Sequence, residues 1–447
     1  SFTAPLSYNM EQMLVLWEQD PDSTAYNMPM GMELPAGVSV GQVREAVAWL
    51  VERHEALRTR FVRASGAAPP MQEVVGVGAY ELPFAVVEDK AAMREEAKKP
   101  FDLYTGPLAR FVVGAKDGLS EETTAQYLLV AMHHSIGDGW SCGVLQQELR
   151  QRLTFDNPTP QPLPPTPLQN ADYSVWQREW LEGSGELARQ LAFWRRELAD
   201  APLVLDLPTD RPRPKVQTTR GGSVAFALDA GVAAGVAETA RRCGATGFMV
   251  CLAAWHALLA RYSRAGEGVD SSGVVTVGTP YAGRDQAETH GIVGYLVNPV
   301  AISADFAGGV VGTEGFLALV REVRGASLGA FEHGAAPFPR VVEEVSGVGV
   351  RDASRTPVFQ VMFNWIAAVF GGEERRKTEP AVEIMGGEGK HLSEGCVVKE
   401  ADPVVEGTAK FELTLSLAEQ RVQFGGGLEF NADLFDGESA WRIAAHF

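Results

Sequence analysis

One continuous segment joins an apolar run to a group of reactive side chains: Tyr127-Leu128-Leu129-Val130-Ala131-Met132-His133-His134-Ser135-Ile136-Gly137-Asp138-Gly139-Trp140-Ser141. The run from Tyr127 to Met132 carries no charge, which is typical of a strand that is buried on both faces of a sheet. Two histidines follow directly, and an aspartate next to glycines lies four residues after the second. Strand and helix signals alternate throughout the chain, which predicts an α/β fold, and because α/β proteins tend to place reactive groups at the ends of buried strands, we expect the functional site here.

The whole chain limits which classes of protein are possible. It has 447 residues, of which 45% are hydrophobic and 21% charged, and its net charge is −18. This composition excludes extensive disorder, and the deficit of basic residues disfavours nucleic-acid binding. No run of about 18 apolar residues is present, so we expect no membrane span. The first residues contain neither a Met nor a signal segment, so we expect an excised part of a larger cytoplasmic protein.

Two lobes are expected, because one hydrophobic core rarely serves more than about 250 to 300 residues. Six prolines between positions 158 and 167 predict a stiff, extended crossing, and we place the lobes at 1–175 and 176–447. Ser141 is predicted to cap the helix that follows the histidines. A polar, glycine-rich stretch at 371–408 is too long for a simple loop and predicts a functional excursion.

Two other chemistries are disfavoured for the histidine segment. A metal site is disfavoured because adjacent residues of an extended segment point to opposite faces, so His133 and His134 do not easily share one ion. A serine hydrolase is disfavoured because the strand ends several residues before Ser141, whereas a nucleophile elbow needs its serine directly between strand and helix. The cysteines show no paired spacing and are expected to be reduced thiols; they are Cys142, Cys243, Cys251 and Cys396.

The histidine segment resembles the HHxxxDG motif of condensation domains in nonribosomal peptide synthetases, which belong to the superfamily of chloramphenicol acetyltransferase. Arg53-His54-Glu55-Ala56-Leu57-Arg58-Thr59-Arg60-Phe61 is nearly identical to a second motif of that family. Further stretches resemble the remaining motifs in the right order: residues 6–12, 172–178, 278–284, 293–299, 337–338, 359–364 and 410–414. Together they span essentially the whole chain.

The resemblance implies two acetyltransferase-like lobes in a V-shaped pseudodimer, with an active-site tunnel between them. It also implies amide formation between a donor aminoacyl or peptidyl thioester and the α-amine of an acceptor aminoacyl thioester. Both substrates would arrive on phosphopantetheine arms of an upstream and a downstream carrier protein, and an adenylation domain would be adjacent. We therefore expect no intrinsic cofactor or metal, and a monomer when the domain is excised. The excursion after Phe370 is expected to include the family's latch segment.

The resemblance also implies roles for individual residues of the motif. His134, the second histidine, is expected to hold and deprotonate the acceptor amine, while His133 is more easily explained as structural. Asp138 could be a second catalytic acid, but a salt bridge with an arginine is favoured; Arg284 and Arg58 are the candidates. Gly139 is expected to leave room for the amine. Positioning of amine and thioester should contribute more than the base, roughly 7 to 11 kcal/mol.

Three positions depart from the usual family pattern. Ser135 and Gly137 are smaller than the residues usual there, and Pro299 follows Asn298 where Thr is common. These changes predict an enlarged or reshaped tunnel floor near His134. They are reminiscent of condensation domains that handle dehydrated residues, so conversion of a tethered Ser or Thr to a dehydroamino acid is an alternative. A superfamily relative using a free alcohol or CoA and a non-catalytic carrier-docking platform are the others. The sequence identifies neither substrate.

Overall fold

The computed structural model describes residues 1–63, 69–116, 118, 120–153, 166, 168–263, 273–307, 310, 312–347, 352–366, 404–419 and 423–447. Its backbone contacts divide the chain into two compact units. Unit 1 comprises Ser1–Glu186 and Ala282–Val297, and unit 2 comprises Leu187–Tyr281 and Asn298–Phe447. The sequence prediction of 1–175 and 176–447 differs in two respects, because unit 1 continues to Glu186 and also includes a return segment, residues 282–297.

Unit 1 is built from seven strands and five helices among its described residues. In chain order these are β1 Phe2–Pro5, α1 Tyr8–Gln19, β2 Asn27–Glu33, α2 Val40–Arg53, β3 Thr59–Val62, β4 Met71–Val74, β5 Phe84–Val87, α3 Lys90–Lys98, β6 Ala109–Ala115, β7 Ala125–His133, α4 Gly139–Leu153 and α5 Asn170–Gly183. One sheet has the order β1-β4-β3 and the other the order β2-β7-β6-β5. Strand β7 is therefore an inner strand, which explains its continuous apolar run.

Local capping explains where the first helices begin. Ser7 accepts a hydrogen bond from the backbone N–H of Met10 and caps α1. Ser39 and Gln42 form a capping box at the start of α2. Helix α2 ends at Arg53, the first residue of the second family motif. It places six buried side chains in the unit: Val40, Val43, Ala46, Val47, Leu50 and Val51.

Unit 2 is built around one seven-stranded sheet with the order β10-β9-β11-β13-β14-β8-β12. The elements are α6 Glu186–Glu197, which begins at the last residue of unit 1, β8 Arg220–Leu228, α7 Ala230–Cys243, α8 Gly247–Ser263, β9 Val274–Tyr281, β10 Asn298–Asp305, α9 Gly312–Glu332, α10 Phe338–Ser346, β11 Val361–Ile366, β12 Val404–Thr408, β13 Leu413–Glu419, β14 Phe424–Asn431 and α11 Gly437–His446. Within the described part of this sheet, parallel pairing is confined to β11 with β13 and β9. Helices α8, α9 and α10 supply buried side chains to the core of this unit.

The strands and helices together make a mixed α/β protein, as the sequence predicted. Within the described residues, no single helix is long and apolar enough to cross a membrane, while α7 and α8 would meet that test only as a pair bent by 102°. The excursion at 371–408 lies outside the described residues up to position 403, and so does its predicted latch. Residues 158–165 and 167 of the proline-rich crossing and Cys396 also lie outside them.

Candidate active site in unit 1

Strand β7 delivers the histidine motif to the edge of its sheet in unit 1. The strand ends at His133, a 3₁₀ turn spans His134–Ile136, and α4 begins at Gly139. Asp138 caps α4, because its Oδ1 accepts the backbone N–H of Ser141 at 2.8 Å and its carbonyl accepts the N–H of Cys142 at 3.0 Å. The prediction that Ser141 is the cap was therefore wrong by three positions, since an aspartate can serve the same purpose.

His134 is half-buried, and its ring nitrogen Nδ1 is bonded within the turn. Its Nδ1 lies 2.9 Å from the carbonyl oxygen of Gly137. A carbonyl only accepts, so Nδ1 carries the proton in the neutral ring and Nε2 carries the lone pair. The backbone N–H of His134 donates to the carbonyl of Tyr26, which fixes the start of the turn. The turn thus fixes the tautomer of the neutral ring, in which the lone pair lies on Nε2.

His133 is buried and bonded inside the turn. Its Nδ1 accepts the backbone N–H of Ser135 at 3.1 Å and lies 2.8 Å from the Ser135 hydroxyl. Its ring also lies edge-on to Phe101. These contacts agree with a structural role for His133, and they direct the Ser135 side chain toward His133.

Asp138 and Arg284 form a fully buried ion pair. Arg284 Nη2 lies 3.1 Å from both carboxylate oxygens of Asp138, and the two side chains are 0% exposed for the aspartate and 1% for the arginine. Arg284 Nη1 donates to the carbonyls of Thr289 and Ile292 at 2.7 and 2.8 Å. Because a buried charge is tolerated only when it is paired and hydrogen-bonded, this arrangement requires every one of these partners.

The same carboxylate and helix hold the return segment in place. Asp138 Oδ2 accepts the backbone N–H of Leu296 at 3.2 Å. Ser141 Oγ lies 2.8 Å from Asp138 Oδ1, accepts the backbone N–H of Gly294 at 3.1 Å and lies 3.0 Å from the Gly294 carbonyl. Asn9 adds a hydrogen bond from its Nδ2 to the carbonyl of Leu296 at 3.3 Å. The buried hydroxyl of Ser141 consequently links α4 to the return segment.

Arg58, the other candidate partner for Asp138, lies elsewhere in unit 1. Its Nη1 donates to the carbonyl of Val75 at 2.6 Å, and its Nη2 lies 3.6 Å from Glu55. Arg58 therefore stabilises its own part of the unit, while Arg284 takes the place beside Asp138.

The second family motif also joins α2 to α4. Arg53 and His54, at the end of α2, contact the Glu148 carboxylate of α4 at 3.0 and 2.8 Å. Burial acts to raise the pKa of Glu148, but the contacts with His54 and Arg53 outweigh it and lower that pKa below its usual value. The start of this motif thus supports the helix that follows the histidine turn.

The glycines of the motif differ in what surrounds them. A Cβ on Gly139 would meet no described atom within 4 Å, so the position is open. A Cβ on Gly137 would come within 2.7 Å of Met132 Sδ. The space beside Gly137 is thus occupied by Met132, and the Ser135 hydroxyl bonds His133; the enlarged floor near His134 stays a prediction.

Asn298 and Pro299 belong to unit 2. Asn298 Nδ2 donates to the carbonyls of Gly334 and Ala336 at 2.8 and 2.7 Å, and its Oδ1 accepts the N–H of Phe338. Pro299 lies in β10 opposite Pro280 of β9. Their assignment to a tunnel floor stays a prediction.

Tyr295 was not singled out by the sequence, yet it contacts His134. The two rings meet edge to face with their centres 4.8 Å apart. Tyr295 is 7% exposed, and burial raises the pKa of its phenol, so the hydroxyl keeps its proton. The signal that could have identified it is its place in the return segment, between the two residues that Asp138 and Ser141 fasten.

The site combines a base with a rigid support, and this sets its chemistry. His134 can accept a proton through Nε2, while Asp138 is occupied by Arg284 and by backbone N–H groups. Across the described part of the chain, no three His, Cys, Asp or Glu side chains come together as a metal site. Proton transfer by His134 is therefore the chemistry that these residues support best.

Comparison with known proteins identifies relatives over the full length. The sequence profile described as Condensation domain matches residues 3–447. The chain is 34% identical to malpinin synthetase of Mortierella alpina over 442 residues, covering 97% of the chain and 5% of that protein. It is 32% identical to one of the linear gramicidin synthase proteins of Brevibacillus parabrevis, covering 99% of the chain and 8% of that protein. The chain thus spans less than a tenth of these relatives.

Solved structures show the same fold. A four-domain nonribosomal peptide synthetase bound to AMP and glycine matches with a TM-score of 0.78 and 21% identity, covering 99% of the chain and 32% of that protein. The X-domain from teicoplanin biosynthesis matches with a TM-score of 0.77 and 24% identity, covering 99% and 92%. These matches assign the chain to the two-lobed acetyltransferase-like fold.

Proposed function

The chain belongs to the condensation-domain family of nonribosomal peptide synthetases, and we propose that this member is an active acyltransferase that forms an amide bond between two carrier-bound substrates. The donor is an aminoacyl or peptidyl thioester, and the acceptor is an aminoacyl thioester with a free α-amine. Two carrier proteins supply the phosphopantetheine arms, so the chain itself needs no cofactor. The observation that carries the proposal is the contact of His134 Nδ1 with the Gly137 carbonyl, which in the neutral ring leaves the lone pair on Nε2.

The reaction balances with one base. The amine nitrogen attacks the thioester carbonyl carbon, the carbon–sulfur bond breaks, and the donor carrier leaves as a thiol. His134 Nε2 accepts the proton that the amine loses and returns it to the departing sulfur. General base catalysis contributes about 10²- to 10⁴-fold, and correct placement of amine and thioester contributes more.

Asp138 acts on this reaction through structure. Its carboxylate is sealed against Arg284 and caps α4, so it is a positioning residue rather than a proton donor. The open space at Gly139 is where we place the acceptor amine, at the start of α4 and close in sequence to His134.

A reconstituted assay tests the proposal. Upstream and downstream carrier proteins are loaded with aminoacyl thioesters, mixed with the domain, and followed by intact-protein mass spectrometry. Wild type is expected to move the donor acyl group to the acceptor carrier, and His134→Ala to slow this at least about 10²-fold. His446→Ala is the matched control, because that histidine lies on α11 in unit 2 and bonds Tyr262. Equal rates for His134→Ala and wild type would contradict the role of His134.

The same spectra separate the dehydrating alternative, which the departures at Ser135, Gly137 and Pro299 favour. In that reaction His134 removes the α-proton of a tethered Ser or Thr residue, and the β-hydroxyl leaves as water. The product would be lighter by one water than the simple amide. If Ser and Thr donors give a product with the full mass of the simple amide, the dehydrating alternative is excluded.

A non-catalytic docking platform is the other candidate. It is favoured by the likeness to the X-domain from teicoplanin biosynthesis, which also matches in its complex with OxyB at a TM-score of 0.76 and 23% identity. A platform would bind loaded carrier proteins and transfer nothing. Binding without transfer for several donor and acceptor pairs would establish it.

A further inference from the structure

The fastening of the return segment on both sides of one residue points to a second polar group beside His134. Gly294 donates its N–H to Ser141 Oγ, which also lies 3.0 Å from the Gly294 carbonyl, and Leu296 donates its N–H to Asp138. Between them stands Tyr295, whose ring contacts the His134 imidazole at 4.8 Å between centres. The buried ion pair therefore fixes the relative positions of a phenol and the proposed base.

Crowding at Gly294 tightens this arrangement further. A Cβ at Gly294 would lie 2.2 Å from Asn170 Oδ1, so the backbone before Tyr295 is pressed directly against α5. Asn9 on α1 holds the carbonyl of Leu296 from another direction. Together with Ser141 on α4, three helices of unit 1 thus hold this short segment in place.

Within the described residues, the Tyr295 hydroxyl makes no hydrogen bond that would stabilise the fold. The residue is buried, yet no described residue bonds the phenolic oxygen. The phenolic oxygen is not fully buried within the described chain, so part of its surface is accessible. A phenol that is fixed beside His134 and has an accessible, protonated hydroxyl can donate a hydrogen bond to a bound substrate.

We propose that the Tyr295 hydroxyl donates a hydrogen bond to the carbonyl oxygen of the reacting donor thioester, and that it stabilises the negative charge on this oxygen as the amine attacks. The inference rests on the proposed function of His134 and adds a donor that lies outside the HHxxxDG motif. An amine held by Nε2 brings the reacting carbonyl within about 3 to 3.5 Å of the amine, and Tyr295 adjoins that space. Tyr295 transfers no proton; the amine proton passes to His134 as before.

The test removes the hydroxyl and keeps the ring. Tyr295→Phe is compared with wild type in single-turnover transfer between loaded carrier proteins, with donor concentration varied and the melting temperature measured. We expect the maximal rate to fall about 10²-fold with the half-saturating donor concentration and the melting temperature unchanged. Tyr80→Phe is the matched control, because that tyrosine of unit 1 bonds the Leu57 carbonyl far from the motif in sequence, and it is expected to transfer at the wild-type rate.

Each other outcome overturns the inference. A wild-type maximal rate for Tyr295→Phe would show that the hydroxyl touches no reacting atom. A change in the half-saturating donor concentration alone would show that the hydroxyl contributes only to binding of the donor. A large fall in melting temperature would show that the hydroxyl serves the fold. If wild type and Tyr80→Phe both form no amide, the proposed function itself fails, whereas a His134-dependent wild type with an unaffected Tyr295→Phe rejects the tyrosine alone.

Discussion

At the scale of single residues, the site depends on charge burial more than on any one catalytic group. Asp138 is 0% exposed and is tolerated there because Arg284 and several N–H groups surround it. Such a pair adds little net stability over an apolar pair, but removing one partner leaves an uncompensated charge. The aspartate of the motif is therefore a support for the return segment as much as a neighbour of the reactive group.

Neutralising Asp138 should destabilise the fold strongly. We expect Asp138→Asn to lower the free energy of unfolding by about 3 to 5 kcal/mol, because Arg284 would stay buried without its counter-charge. Chemical denaturation measures this. The matched control is Glu121→Gln, which breaks the exposed pair with Arg44 and should change the same quantity by less than about 1 kcal/mol. Equal effects of the two substitutions would contradict the prediction.

Removing both members of the pair should be less harmful than the sum of the two single changes. We expect the double variant Asp138→Asn with Arg284→Gln to recover at least about 1 kcal/mol relative to additivity, since no unpaired charge remains. A double-mutant cycle by denaturation gives the coupling energy. Strict additivity would show that the two groups act independently.

At the scale of elements, the turn into α4 contains two glycines whose roles the sequence could not distinguish. Gly137 is packed against Met132, whereas Gly139 opens onto free space at the first position of the helix. Only the three-dimensional surroundings reveal this, because the pattern Gly-Asp-Gly is symmetric in the sequence. The resemblance to the family motif predicted that Gly139 leaves room for an amine. Because a Cβ at Gly139 would meet no described atom within 4 Å, a substitution there can test this prediction.

Filling the space at Gly139 should affect transfer and spare the fold. We expect Gly139→Ala to leave the melting temperature unchanged or slightly raised, because no described atom is displaced and alanine favours helices, and to slow amide formation at least about tenfold. Gly235→Ala is the control: it is an exposed position of α7 with no described atom within 4 Å of the added Cβ. Transfer at the wild-type rate by Gly139→Ala would place the amine elsewhere.

Helix α8 carries a histidine whose burial gives stability a pH dependence. His256 is 0% exposed and both ring nitrogens face carbonyls, Leu252 at 2.9 Å and Ile302 at 3.0 Å. Burial lowers the pKa of His256 below its usual value of 6.5, which outweighs the opposing effect of the two carbonyls. The unfolded chain thus binds a proton below about pH 6.5 that the folded chain does not bind, so stability falls as pH drops below that value.

Replacing His256 should remove that part of the pH dependence. Between about pH 7.5 and 5.5 we expect the free energy of unfolding of wild type to fall more steeply than that of His256→Gln, by up to about 1.4 kcal/mol per pH unit below about pH 6.5. Urea denaturation at several pH values measures both slopes. His446→Gln, at an exposed position of α11, serves as the control. Parallel slopes for wild type and His256→Gln would contradict the assignment.

At the scale of the whole molecule, sequence patterns predicted local elements better than the course of the chain. The buried strand that ends at His133 follows from its uninterrupted apolar run, and the structure confirms it. The return of residues 282–297 to unit 1 is set by long-range contacts such as that of Asp138 with Leu296, which no local pattern encodes. For this reason the domain boundary differed, and Tyr295 was overlooked although the segment that contains it was recognised.

The course of the chain implies that unit 1 needs its return segment to be stable. A fragment 1–186 would lack Arg284 and the apolar contacts of Ile292 and Leu296 with Tyr173, and it would leave Asp138 buried without a cation. We expect this fragment to melt without cooperativity or to precipitate. The same fragment with residues 282–297 fused through a flexible Gly/Ser linker should regain a cooperative transition, because the linker adds only a modest closure entropy.

Circular dichroism melting of the two fragments decides the point, and the fused fragment carrying Arg284→Gln is the matched control. That control keeps the added chain length and apolar residues but again leaves Asp138 unpaired, so we expect it to behave like the shorter fragment. Equal cooperative melting of fragment 1–186 and its fusion would show that the return segment is an accessory. If only the fusion with intact Arg284 melts cooperatively, the histidine turn after β7 and the return segment 282–297 belong to one folding unit. The stretch Leu187–Tyr281 separates these two parts in the chain.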